Sequence, residues 1–176
     1  GVFAEHPPTP EHLPGIEAAT GSLGHGLPIG LGMALAGRVN QHVYNVYVVL
    51  GDGECNEGSV WEAAMAASQF KLNNLVAIID RNNFQQTGAN SDIMSVGDLA
   101  AKWASFGWDV TEVDGHNVGE LYDSLGKVSA SGRPAAIIAH TVKGKGFSFS
   151  ENDNAWHHAP LSKSQYELAV DELNKT

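Results

Sequence analysis

Asp52 stands between two glycines at the end of the run Val46-Tyr47-Val48-Val49-Leu50-Gly51-Asp52-Gly53-Glu54. One helix and one strand further on, Ile78-Ile79-Asp80-Arg81-Asn82-Asn83 ends in a pair of amides. Carboxylate, amide and carbonyl oxygens are the donors that Mg²⁺ and Ca²⁺ prefer, and Mg²⁺ is normally completed by water and substrate phosphates. A bare carboxylate repels a diphosphate, whereas an intervening divalent cation reverses the sign of that interaction. Gly51 and Gly53 are expected to let the backbone turn tightly and approach the ligand. Taken singly, a GDG and an Asn pair are both ordinary turn sequences. Together, each just past a buried strand, they favour a cation holding a diphosphate at the carboxyl edge of a parallel sheet.

The elements needed to position these residues follow from the apolar pattern. Helices are predicted over 23–39, 59–70, 96–105 and from about 118, with strands over 43–50, 75–80, 108–113 and 135–141. Val60, Ala63, Ala64, Ala67 and Phe70 fall on one face of the second helix. The strand at 75–80 is short and wholly apolar before its final Asp, as in strands covered on both faces. Ser162 followed by Gln165 has the capping-box form and opens a terminal helix to about Asn174. Strands alternating with helices predict an α/β fold, a mostly parallel sheet with right-handed crossovers and helices on both faces. The first two strands should be neighbours. Loops are expected over 82–90 and, longest of all, over 143–156, and long loops in compact domains are often functional.

The chain has 176 residues and reads as a single domain over 1–176, with 43% hydrophobic and 17% charged residues. A formal charge of −10 argues against a nucleic-acid surface. No apolar run reaches the roughly 18 residues of a membrane span. A lone Cys55 and the lack of a charged-then-apolar leader suggest a reducing compartment, with cytoplasm as the expectation.

The stretch from Gly51 to Asn83 resembles the thiamine diphosphate motif of transketolases. Thr20–Gly26 (TGSLGHG), Phe106–Trp108 (FGW), Val113–Asn117 (VDGHN), Lys143–Gly146 (KGKG) and Trp156–Leu161 (WHHAPL) are similar to further transketolase motifs, in the family's order. Nearly the whole chain is covered, and it looks most like the N-terminal subunit of split, two-chain transketolases. That resemblance implies a thiamine diphosphate-binding fold carrying the diphosphate-binding module, and an additional upstream segment.

The resemblance also implies roles. Asp52, the Asn82 side chain and the backbone carbonyl of Phe84 would ligate Mg²⁺, or Ca²⁺ or Mn²⁺ in its place. Gly51 and Gly53 flank the metal-binding carboxylate, with the Gly53 N–H toward the diphosphate. Gly21, Leu23 and Gly24 would pack along the thiazolium and diphosphate, with His25 where relatives often have Gln, and Gln86 would lie near the thiazolium, its register blurred by Gln85. His157 would contact the diphosphate and the reacting sugar, with His158 beside it. Imidazole suits that task because its pKa lies near neutrality. Lys143 lies near diphosphate and substrate in this alignment, and His6 matches a channel histidine for which His12 could be mistaken. Glu57 and Glu62 match acids of a dimer interface, although alone they read as helix-start acids favoured by the dipole.

The implied activity is transfer of a two-carbon ketol unit from a ketose phosphate to an aldose phosphate. It requires a complementary pyrimidine-binding subunit, in a dimer or heterotetramer. A non-catalytic cofactor-binding or assembly subunit of another thiamine diphosphate enzyme is the alternative. A nicotinamide-binding Rossmann unit fits poorly, since Asn56 stands where a third glycine belongs and Asp52 where the pyrophosphate needs room. A zinc hydrolase fits worse, with eight histidines but no HExxH and one cysteine.

Overall fold

The computed structural model of the chain describes residues 9–128 and 131–175. Helix α1 (Gly26–Val39) leads into β1 (Val46–Gly51), and a 3-10 turn (Gly53–Asn56) into α2 (Gly58–Gln69) and β2 (Leu75–Arg81). A two-stranded ribbon, β3 (Phe84–Gln85) and β4 (Gly88–Ala89), and a single helical turn, α3 (Asn90–Ile93), follow. Then come α4 (Leu99–Ser105), β5 (Asp109–Asp114), α5 (Val118–Leu125), β6 (Ala135–His140) and, after a second 3-10 turn (Asn154–His157), α6 (Lys163–Leu173).

The four long strands form one wholly parallel sheet in the order β1-β2-β6-β5. From β1 to β2 to β5 the chain moves in one direction, so right-handed crossovers put α2 and α4 on one face. The return from β5 to β6 reverses direction, and α5 accordingly lands on the other face. The core records this division. Leu50, Leu75, Ala77, Ile79, Ala136 and Ile138 pack with Leu27 and Ala34 of α1, Val60 and Ala64 of α2, and Trp103 of α4. Val76, Val113, Ala135, Ile137 and Ala139 pack with Leu121 and Leu125 of α5. At the β1 edge this second face is open: Tyr47 is 50% and Val49 70% exposed. The opposite edge, β5, carries Asp109, Glu112 and Asp114.

Element starts differ from the periodicity where local chemistry intervenes. Helix α1 begins at Gly26 because Gly21 (φ +129°) and Gly24 (φ +77°) turn the preceding backbone through positive φ, which a helix does not admit. Helix α4 begins after Asp98, whose carboxylate accepts the Ala101 N–H at 2.9 Å. Strand β1 begins only at Val46, the residue paired with Leu75, the first of β2. The capping box of Ser162 and Gln165 forms as read. The segment 82–90, expected as plain loop, contains the β3–β4 ribbon.

Register brings the strand ends level: Gly51 lies opposite Asp80, and His140 opposite both Arg81 and Asp114. Helix α1 approaches β1 so closely that a Cβ on Gly30 would sit 2.5 Å from Val48 Cγ2. Gly30→Val is therefore expected to lower stability by about 1–3 kcal/mol through overpacking. Urea denaturation with an unchanged m-value would be the check.

Candidate functional site

At the carboxyl edge of the sheet the Asp52 carboxylate is completely buried. Its Oδ1 accepts the Gly53 N–H at 2.8 Å, and its Oδ2 accepts the Asn83 N–H at 2.7 Å and the Arg81 guanidinium at 3.3 Å. The loop after β2 is thus folded onto the residue that follows β1. Asn82 is oriented from both ends, its Nδ2 donating to Asp80 Oδ2 at 3.0 Å and its Oδ1 accepting the Phe84 N–H at 2.8 Å. The other Asp80 oxygen accepts the Thr141 hydroxyl, which ties the turn to the end of β6.

The two glycines of GDG serve differently from expectation. Neither has a positive φ, so the turn itself does not demand glycine. Gly53 is needed for space: a Cβ there would lie 2.6 Å from Gln85 Cβ and 3.3 Å from Asn90 Oδ1. The β3–β4 ribbon therefore occupies the bare side of Gly53, and the Gly53 N–H is engaged by Asp52 itself. Gln85 points inward and donates to Asn90 Oδ1 at 3.0 Å, while Gln86 is exposed at the ribbon tip.

The loop over residues 20–26 is bound to the same turn. Glu54 accepts the Gly24 N–H at 2.9 Å and the Gly51 N–H at 3.2 Å, while the Ser59 hydroxyl donates to the Gly24 carbonyl at 2.8 Å. A Cβ on Gly24 would meet Glu57 Cβ at 2.5 Å, so this left-handed position admits only glycine. Gly21 is exposed, and Leu23, 59% exposed, presents an apolar side chain from this loop. Behind the turn the Trp61 indole N–H donates to the Cys55 carbonyl at 2.7 Å. Burial, followed by Glu54 and Asp52, pushes the Cys55 thiol up to about 12, which leaves it an inert packing group.

Lys143 and His157 meet, with Lys143 Nζ 3.0 Å from His157 Nδ1. An ammonium can only donate. Nδ1 is therefore the acceptor, which leaves the neutral ring's proton on Nε2. Burial, then the positive Lys143 and then His158, hold the His157 pKa below its ordinary 6.5. Two contacts bring this pair toward the rest. The His116 Nε2 accepts the Val142 N–H at 2.8 Å, and the Asn154 amide donates to the Gln86 carbonyl at 3.0 Å. The long loop itself is built on the Ser150 hydroxyl, which donates to the Gly144 and Phe147 carbonyls.

The structure thus brings together Gly24, Gly51, Asp52, Gly53, Asn82 and Phe84, and sets the Lys143–His157 pair alongside through Gln86. His158 is exposed beside His157. His25 is exposed, with Nδ1 3.0 Å from the Leu23 carbonyl. Glu57 and Glu62 are exposed, and neither lies in the first turn of α2, which holds no acid. Their reading as first-turn acids therefore fails in position, because Glu57 is the cap residue, without a side-chain cap bond, and Glu62 lies beyond the first turn. His6 lies outside the described residues. Residue types alone missed Glu54, Asp80, Arg81, His116 and Thr141. The available signal was charge at the ends of apolar strands, in Asp80-Arg81 and in Glu54 after GDG.

These residues fit a hard cation. Among the described residues no cluster of three His, Cys, Asp or Glu side chains could hold a metal. A cation here would rely on one carboxylate with amide and backbone carbonyl oxygens, leaving room for phosphate and water. Asn82 Oδ1 keeps a second lone pair beyond its bond to Phe84.

The sequence model of the family described as "Transketolase, thiamine diphosphate binding domain" matches residues 2–174. The chain belongs to this family. It is 46% identical over 175 residues to an apulose-4-phosphate transketolase subunit of Phocaeicola vulgatus, covering 99% of this chain and 62% of that protein. It is 41% identical over 162 residues to the 6-deoxy-6-sulfo-D-fructose transketolase subunit SqwG of a Clostridium species, covering 92% and 59%. The transketolase structure from Campylobacter jejuni superposes with a TM-score of 0.86 at 29% identity, over 91% of this chain and 26% of that one. The chain spans about three fifths of the subunit-type relatives and about a quarter of the solved transketolase.

Within this transketolase domain, Glu54 links the glycine loop to the aspartate turn. Glu54→Gln leaves one acceptor oxygen where Gly24 and Gly51 used two. It should cost about 1–3 kcal/mol and speed hydrogen exchange at the Gly24 amide. For His157, Lys143→Met should raise the titration midpoint seen by NMR, yet leave it below 6.5 because burial is the larger cause. With its folded pKa depressed, His157 subtracts nothing above pH 6.5; it subtracts stability as pH falls from 6.5 through the folded value.

Proposed function

We propose that the chain supplies the diphosphate-and-metal half of a transketolase, transferring a two-carbon ketol unit from a ketose phosphate to an aldose phosphate. The observation that carries this is the buried Asp52 carboxylate meeting the Asn82–Phe84 turn, with the Gly21–Gly24 loop clamped beside it. In this reading Asp52, the Asn82 amide oxygen and the Phe84 carbonyl hold Mg²⁺, or Ca²⁺ or Mn²⁺. Thiamine diphosphate, when bound, would supply the electron sink that ketol transfer needs.

The chain's own residues do the remaining work. Gly21, Leu23, Gly24 and the exposed Gln86 would hold the cofactor. The His157 Nε2–H donates to an anionic or hydroxyl oxygen, and its neutral ring at pH 7 can exchange protons without the cost of discharging an imidazolium. Lys143, through its ammonium, supplies local positive charge for sugar phosphates in a chain of net charge −10. His6 belongs to the same proposal as a substrate-channel residue. Glu57 and Glu62, exposed on or beside α2, face a partner protomer.

The ring's pyrimidine half is left to a complementary subunit, in a dimer or heterotetramer. The related subunits named for apulose-4-phosphate and 6-deoxy-6-sulfo-D-fructose make modified sugars the substrate class to try first. The setting we propose is cytoplasmic carbohydrate metabolism of the pentose phosphate kind. Among the described residues no helix is long and apolar enough to cross a membrane.

The experiment assays ketol transfer by the chain mixed with its complementary subunit, with the chain alone as control. Transfer only in the mixture supports the reading; full transfer by the chain alone contradicts it. Asp52→Asn should keep the far-UV circular dichroism of the fold while melting lower, since its Nδ2 would face a donor in either orientation, the Gly53 N–H or the Asn83 N–H with Arg81. It should also lose Mg²⁺-dependent thiamine diphosphate binding in calorimetry. Unchanged affinity there would overturn the site assignment.

A further inference from the structure

Arg81 is the last residue of β2, immediately before Asn82, and its guanidinium takes up part of the carboxylate that the proposed function gives to a metal. A carboxylate offers about four lone-pair sites. Three of those on Asp52 are in use, by the Gly53 N–H, the Asn83 N–H and Arg81 Nη1. The two N–H groups are fixed by the turn. Arg81 alone of the three is a side chain with somewhere else to go. It is 21% exposed where Asp52 is wholly buried, and its Nη2 makes only a 3.5 Å contact with the Gly97 carbonyl. It also lines a cavity of about 320 Å³ bounded by the Ser91 and Ser95 segments and by Asn90, whose buried Nδ2 has no partner.

We propose that Arg81 is the resident counter-ion of Asp52 in the cation-free protein, and that a divalent cation must displace it toward this cavity in order to bind. A buried carboxylate left without a compensating charge is costly, so the cation-free fold needs the guanidinium where it is. Cation and Arg81 therefore compete for one anion. The protein holds its fold without metal, and it does so at the expense of metal affinity.

This inference rests on the proposed cation site, and the test separates the two. EDTA-stripped full chain, wild type and Arg81→Met, is titrated with Mg²⁺ alone, and the melting temperature followed with cation concentration. Arg81→Met should melt lower than wild type in EDTA, gain more from Mg²⁺ at a given concentration, and show a calorimetric Mg²⁺-binding midpoint at about tenfold less cation. Arg81→Lys, which keeps the charge, should show a midpoint close to that of wild type. Should Arg81→Met fail to fold in EDTA, Arg81→Gln carries the same comparison. A midpoint in the uncharged variant equal to or above that of wild type overturns the counter-ion role. If wild type shows no response to Mg²⁺ even with thiamine diphosphate present, the cation site itself is wrong, and this inference falls with it.

Discussion

A carboxylate taken wholly out of water has to be answered by donors, and the arrangement around Asp52 is the answer. The donors come from three places: the turn that follows β1, the loop that follows β2, and the end of β2 itself. None of these could converge unless β1 and β2 were adjacent and in register, with Gly51 opposite Asp80. The sheet's order and the burial of one charge are therefore mutually dependent. Hydrophobic packing of α1 and α2 against β1 and β2 seals the back of the turn, while the loops close its front.

Around this centre lies a set of polar residues that tie separate segments together through backbone and side chains. Glu54 holds two amides from separate segments, Asp80 joins Asn82 to Thr141, and His116 holds the residue before Lys143. The carboxylates among these acceptors give stronger bonds than neutral groups do, and they fix loops whose glycines would otherwise leave them soft. The consequence is a site whose parts come from distant stretches of chain and are coupled through a few side chains. Loops at a sheet edge gain precision in this way without being buried in the core.

Much of this was legible in the residues. Apolar runs such as Leu75–Ile79 marked the strands, the Ser162–Gln165 pair marked the last helix, and the length between Asp52 and Asn82 made β1 and β2 neighbours. What was not legible depends on contacts distant in sequence. Insertion of β6 between β2 and β5 leaves no local trace, because strand order is set by which helices cover which face and not by the strands' own residues. The need for glycine at Gly53 comes from Gln85 crossing over it, not from its own backbone angles. Gln85 and Gln86 are chemically identical, and only the pairing of the ribbon sends one inward and the other out. Arg81 was passed over because its partner lies beyond the end of another strand.

The two edges of the sheet differ in kind. On β5, Asp109, Glu112 and Asp114 are spaced along the strand, and charges so placed repel a further strand. On β1 the exposed side chains are Tyr47 and Val49, and among the described residues no strand pairs with the outer side of its backbone. Unpaired peptide groups beside apolar side chains are a template for strand addition. The sheet is thus polar in its capacity for growth, capped at one margin and receptive at the other, and the receptive margin is the strand that leads into Asp52.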